Sequence, residues 1–258
     1  AGSGAPHGTS LPPFFSRRFG LHQGHTVPIR FGARLTGKVG RQDIGLLSVG
    51  TDDVGELGLD AAWYNVARVR RDLGGRADLG GIVTDSRRDG ERSTTLGLDA
   101  AWYLTETLYL GGYWATVDEG SGADRPAAYN AVLDLTTDPF GFMFGFSNVD
   151  VGFDPDLGYV QRDGDRRSDA SLRYSFRPGR WGVRRVSLRT FNTWHDSLRA
   201  DVRESGDNRL SCELELESGD QLSVGVGHTS ERLFEPFELD DGLTFAAGTY
   251  SWNAAELE

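Results

Sequence analysis

His195 and Asp196 follow Trp194 directly, neighbours of the kind from which a proton relay or a metal site is built. Consecutive residues of a strand point to opposite faces, so the two cannot easily share one site, and the segment reads as an interfacial tryptophan beside polar loop residues. His7, His22 and His25 gather near the start without carboxylates or thiols at ligand spacing and read as tail residues; His228 closes an alternating stretch near a loop. Asp118–Asp124 and Asp163–Asp165 could offer oxygen ligands to Ca2+, but neither has EF-hand spacing, and solvated acidic turns account for both. No serine elbow, HExxH, P-loop or dinucleotide pattern occurs. A glycosidase pair needs two carboxylates at a set separation, which sequence cannot display. Nothing in the residue types argues for an enzyme, and neither cofactor nor metal is expected.

Charge arranged in ladders is more informative. Arg30, Arg34 and Lys38 occupy one parity of the segment 27–40, with Ile29, Phe31, Ala33, Leu35 and Val39 on the other. Arg173 and Arg177 alternate with Leu172, Tyr174 and Phe176, and Glu213, Glu215 and Glu217 alternate with Leu210, Cys212, Leu214 and Leu216. Asp99 lies opposite Leu96, Leu98, Ala100 and Trp102, as Asp60 lies opposite Leu57, Leu59, Ala61 and Trp63. Ladders of one sign line a wet interior, where opposed signs on different walls offset one another, or face solvent on a soluble sheet. On the first reading all ten of these charged residues face a lumen.

The elements that position such ladders are strands, because the period is two. Phe140, Phe142, Phe144 and Phe146 put four phenylalanines on one face, which is either a buried sandwich core or, in a barrel, a surface turned to lipid. Leu198, Ala200 and Val202 alternate with Arg199, Asp201 and Arg203, and Leu222, Val224 and Val226 continue the pattern. Turn signals fall at 162–165, 177–179, 205–208, 218–220 and 240–242, and about twelve to fourteen strands joined mostly as hairpins are expected. Asp60–Gly74 could also form a short helix capped by Asp60 and Gly74. An internal repeat favours a strand: LGLDAAWY occurs at Leu57–Tyr64 and again at Leu96–Tyr103, 39 positions on, in clean strand context. The repeat predicts that Trp63 and Trp102 sit at similar depth in an aromatic girdle.

Composition sets the class. The 258 residues carry 38 Asp+Glu against 27 Lys+Arg, a net charge of −11 that disfavours nucleic acid as a partner. Hydrophobic residues at 38% exclude disorder, and 35 glycines against 9 prolines without a three-residue repeat indicate many turns and close strand contacts. Cys212 is alone, so no internal disulfide or thiolate cluster forms. No apolar run is long enough for a membrane helix, which leaves barrels open because their spans alternate. A mean hydropathy of −0.41 suits either a barrel or a soluble β protein.

Several words occur in a familiar order: FFSRRFG at Phe14–Gly20, PIRFGARLTGKVG at Pro28–Gly40, IGLL at Ile44–Leu47, VARVRRDLG at Val66–Gly74 and VGFDPDLGYV at Val151–Val160. In these the chain resembles a family of uncharacterised bacterial outer-membrane β-barrel domains that commonly follow a carbohydrate-binding module of the family-nine type. The resemblance covers most of residues 14–179. It implies an outer-membrane location, a transmembrane barrel and an association with carbohydrate, and it supplies no catalytic residues. The chain has no such module, no signal peptide, and ends at Glu258 where outer-membrane barrels usually end on an aromatic residue, so an internal portion of a longer barrel or a shortened relative is expected.

The expected fold is all-β, an antiparallel up-and-down transmembrane barrel or a large part of one. Residues 1–13 form a flexible lead-in, 14–252 the single barrel domain and 253–258 a polar tail. Trp63, Trp102, Phe140, Phe142, Phe144 and Phe146 are the lipid-facing or girdle candidates. Membrane lipid is the expected partner, with glycans or small solutes as further partners in passage or surface handling; the oligomeric state is open. The rival is a soluble β-rich carbohydrate-binding or glycan-cleaving module, a sandwich or small barrel, which needs the four phenylalanines inside a core.

Overall fold

Strict alternation over ten or more residues leaves the backbone extended and gives each strand two chemically distinct faces. The structure, a computed structural model, describes residues 14–15, 18–22, 24–120, 125–239 and 242–258. The lead-in 1–13 with His7, residues 121–124 of one acidic loop, and Asp240 and Asp241 of the last turn signal lie outside the described residues. A short hairpin, β1 (Leu21–His22) and β2 (His25–Thr26), precedes the main strands. These are β3 (Ile29–Val39), β4 (Gln42–Thr51), β5 (Ala62–Gly74), β6 (Ala77–Arg88), β7 (Glu91–Tyr103) and β8 (Leu108–Asp118). They continue with β9 (Ala127–Thr136), β10 (Phe140–Val149), β11 (Asp165–Phe176), β12 (Val183–Ser197), β13 (Val202–Leu216) and β14 (Gln221–Leu233). A small hairpin, β15 (Phe237–Leu239) and β16 (Leu243–Phe245), leads to β17 (Gly248–Leu257).

The protein is thus all-β, with a 13-stranded sheet in the order β17-β14-β13-β12-β11-β10-β9-β8-β7-β6-β5-β4-β3, an up-and-down antiparallel meander. Connections alternate in length as they alternate between strand ends. Those at 40–41, 75–76, 104–107, 137–139, 177–182 and 217–220 are all short; the opposite ends carry the long segments 52–61, 150–164 and 234–247. At the latter ends the tightest link is Asp89-Gly90, both at positive φ (45° and 80°), the backbone of a two-residue hairpin turn.

The chain divides into two compact units. The first runs through Leu104 and adds Leu110–Ala131 and Asn148–Gly164; the second holds Thr105–Tyr109, Val132–Ser147 and Asp165–Glu258. In the first, the ladder aligns residues in transverse rows: Leu35, Leu46, Ala67, Val83 and Leu96 form one, and all five are exposed. The next row on the opposite face, Leu47, Val66, Thr84 and Thr95, is screened, and Thr95 is only 1% accessible while Leu98 is 57% accessible. The second unit repeats this inversion: Leu172, Tyr174, Leu188, Leu210 and Val224 are exposed, whereas Ser175, Ser187 and Asp169 are buried. Below, the two parities are called the exposed and the screened face. The end strands β3 and β17 are exposed along their whole length.

Glycines let neighbouring groups approach the strands closely. A Cβ on Gly80 would collide with the Asp99 carboxylate, one on Gly141 would lie 3.1 Å from Arg173 Nε, and one on Gly112 would collide with the carbonyl of Asn130. The last obstacle is backbone and cannot swing away. Gly112→Ala is therefore expected to lower stability by about 1–3 kcal/mol, measured as a shift of the denaturation midpoint against wild type.

Five local expectations are corrected. The first copy of the repeat is not a strand throughout: 55–57 form a single 3-10 turn, Gly58 takes φ 62°, Val54 and Leu59 bridge, and β5 begins only at Ala62. The second copy ends β7. Trp63 therefore aligns with Arg87 and Trp102 with Ala77, ten residues apart along β6, so the two tryptophans lie near opposite strand ends and not at one depth. Leu198–Asp201 is a turn, with Asp201 at φ 51°, and Ser205–Asn208 lies inside β13, its polar side chains paired across the ladder. Residues 253–257 belong to β17, paired with β14, and are not a tail. The helix alternative for Asp60–Gly74 gives way to β5.

Candidate functional site

The VGFDPDLGYV segment and the FFSRRFG segment, far apart in the chain, meet on the screened face of the first unit. Apolar residues two apart, Phe153, Pro155 and Leu157, turn inward from the loop 150–164 and are all but fully buried. Leu157 packs with Val49, Ala62, Tyr64, Val66 and Ile82, flanked by Phe14 and Phe19; Phe153 packs with Ala115, Val117, Ala128 and Val149. Polar contacts hold the loop in place. Phe15 N donates to Leu157 O at 2.6 Å, Arg18 Nε donates to Gly158 O at 2.9 Å, and Ser86 Oγ bonds the Asp156 carboxylate. The Phe15 and Tyr159 rings lie 5.6 Å apart. The loop is thus an apolar plug against the sheet near its long-loop end.

Toward the short-turn end the same face becomes charged. Arg68 of β5 reaches across β6 to Asp99 of β7 at 2.8 Å, and Arg70 pairs with Asp78 on the adjacent β6 at 2.8 Å. These pairs are partly accessible to solvent, and each contributes little stability while fixing the orientation of its charges.

The screened face of the second unit is charged from end to end. His195 Nδ1 lies 2.9 Å from Asp165, Arg167 Nη2 is 2.9 Å from Asp169, and Thr193 Oγ1 donates to Asp169 at 2.7 Å. Further along, Arg209 pairs with Asp207 at 2.9 Å, Arg189 with Glu213 at 3.2 Å and Arg185 with Glu215 at 2.9 Å. Phe191 is exposed on this polar face, beside Arg209 in the ladder. Positive and negative groups thus alternate along this face.

The predicted charged residues fall out as follows. Glu213 and Glu215 do not stand alone: arginines of the adjacent β12 neutralise them, so opposite signs meet on neighbouring strands. Glu217 is exposed in the turn after β13. Arg173 Nη2 donates to Thr137 O at 2.9 Å, and Arg177, just past β11, pairs with Asp138 at 2.8 Å. Arg34 lies opposite Leu47 and Lys38 is 4.0 Å from Asp43, both well exposed. Arg30 sits at an irregularity between Ile29 and Phe31, 3.7 Å from Asp52, so it breaks the ladder begun by Arg34 and Lys38. Asp60 is an exposed connector residue and lies in no strand. Trp63, Trp102, Phe140 and Phe144 are exposed, whereas Phe142 and Phe146 are partly covered.

His195 is a strand residue and not a loop residue, and its carboxylate partner is Asp165 of β11; the neighbouring Asp196 pairs with Arg203. Sequence reasoning missed the plug and the Asp165 and Asp169 clusters. The regular spacing of Phe153, Pro155 and Leu157 within an acidic loop was the available signal. Among the described residues no group of three or more His, Cys, Asp or Glu could hold a metal ion.

Alternating connections, two chemically inverted faces and an inward-packed loop define the class as a large antiparallel β meander with a polar screened face. No protein-family model matches the chain, and no curated protein sequence matches significantly. Among solved structures it is similar to the crystal structure of Acinetobacter baumannii OccAB3, at 13% identity over 87% of this chain and 67% of that one, with a TM-score of 0.38.

Proposed function

We propose that the chain is a bacterial outer-membrane β-barrel, or a large part of one, whose exposed face meets lipid and whose charged interior admits small polar solutes, sugars among them. The observation that carries this reading is the inversion of the faces. In water a sheet hides its apolar parity, yet here Leu35, Leu46, Val83, Leu96, Leu172, Leu188 and Leu210 are exposed while Thr84, Thr95, Ser175, Ser187 and Asp169 are screened, and the buried valines cluster mainly beneath the loop 150–164. A soluble sandwich would bury Phe140 and Phe144, which are exposed.

Two further features support it. Short turns at one end and long loops at the other are the usual asymmetry of outer-membrane barrels. The rows of Trp63 and Trp102 are ten residues apart, about 33 Å along the strand at ~3.3 Å per residue. At a barrel's strand tilt of about 40° this projects to about 25 Å, the height of an apolar band bounded by aromatic girdles.

The test is folding with and without detergent, followed by size exclusion and circular dichroism. A monodisperse β-rich species that needs detergent or lipid is expected, and single-channel conductance is the next measurement; a β-rich monomer in plain buffer sinks the reading. Trp63→Ala and Trp102→Ala should each slow insertion into vesicles by a few-fold, and unchanged insertion in both argues against the girdles.

A further inference from the structure

On the exposed face of the first unit, where the apolar rows end at the long-loop side, an arginine patch is only half neutralised by its own carboxylate. Arg87 and Arg92 lie directly opposite each other, an arrangement that is repulsive by itself. Asp85 sits between them and takes the Nε–H of each, at 3.0 and 2.6 Å. One carboxylate thus serves two guanidiniums through their Nε–H alone; they remain 61% and 58% accessible and each has further N–H donors. Trp63 is Arg87's partner on the next strand, and the exposed Val83 and Leu96 are two rows further down the same face, toward the short-turn end.

The patch thus joins an excess positive charge, a planar bidentate donor and a tryptophan at the boundary of an apolar surface. That combination fits a group with a doubly ionised oxyanion head and an acyl tail.

We propose that the Arg87–Arg92 patch holds the phosphate of a lipid headgroup, beside Trp63. The proposal rests on the membrane reading above and adds a lipid class to it. The chain folded in detergent is titrated with phosphatidic acid, with phosphatidylcholine and with inorganic phosphate, and bound lipid is counted by native mass spectrometry. Wild type is expected to bind phosphatidic acid at least tenfold more tightly than phosphatidylcholine. Arg87→Gln with Arg92→Gln should weaken it about tenfold. Arg71→Gln, an exposed arginine nearer the short-turn end of the same face, should leave it unchanged. Asp85→Asn removes the internal competitor and should tighten binding, a change that misfolding cannot mimic. Equal binding of the two lipids in a chain that inserts into phosphatidylcholine vesicles overturns the headgroup site alone. Complete displacement by inorganic phosphate marks a free-anion site and overturns the lipid assignment. Failure to insert at all overturns the membrane reading and this proposal with it.

Discussion

Phe153→Ala is expected to cost about 3–5 kcal/mol of stability, the largest single-residue effect in the first unit. Phe153 is 2% accessible and packs against Ala115, Val117, Ala128 and Val149, small residues on rigid strands that cannot collapse into the space an alanine would leave. Most of the loss is therefore cavity energy added to the transfer of the ring. Denaturant unfolding of the detergent-folded protein measures it. If the loop 150–164 plugs the interior, the same variant also raises conductance and its noise, because the loop loses its main anchor while Leu157 remains. A variant of wild-type stability would mean that the loop does not rest on these strands; one that is destabilised with unchanged conductance would place the plug outside the permeation path.

Leu98→Arg separates the membrane reading from the soluble one by size of effect. Leu98 is 57% accessible, and its ladder partner Gly81 lies near the middle of the stretch of β6 between the Trp63 and Trp102 rows. Under water an exposed leucine replaced by arginine changes stability by within about 0.5 kcal/mol. At the midplane of a bilayer the same change costs about 2–4 kcal/mol. Folding equilibria in vesicles distinguish these values. Thr95→Val, on the screened face three residues away, serves as the companion: it removes a hydroxyl from a buried position and should not depend on the presence of lipid.

Much of this architecture is legible in the sequence because a strand's faces are written with period two. The runs at Ile29–Val39, Leu96–Trp102, Leu172–Phe176 and Leu210–Leu216 all lie in strands, and the thirteen-stranded sheet falls within the expected range. What misled was identity of words without identity of context. LGLDAAWY enters β5 in one copy and leaves β7 in the other, because Gly58 turns the first copy back before a strand can start. Polar clusters misled in the same way. Ser205–Asn208 has turn composition, yet Asn208 faces Asn192 and Asp207 faces Thr193, so cross-strand pairing satisfies the groups that would otherwise favour a turn.

The Asp165–His195 contact could not be read, because the partners come from different strands and only the register brings them together. The opposite-face argument for His195 and Asp196 was sufficient for the negative half: their side chains pair with Asp165 and Arg203 separately. The plug was half legible. Its words stood out, but nothing local states that a loop between β10 and β11 should fold back upon residues at the start of the chain.

That contact also fixes an order of events. Hairpins such as β5–β6 close over two residues and can form as soon as both strands exist, whereas Phe15 cannot reach the Leu157 carbonyl until the chain has been made through β10. Phe15 and Arg18 must therefore wait until the loop 150–164 exists, long after the hairpins of β3 to β7 can close. Their bonds to Leu157 and Gly158 thus report that the chain has been laid down past β10.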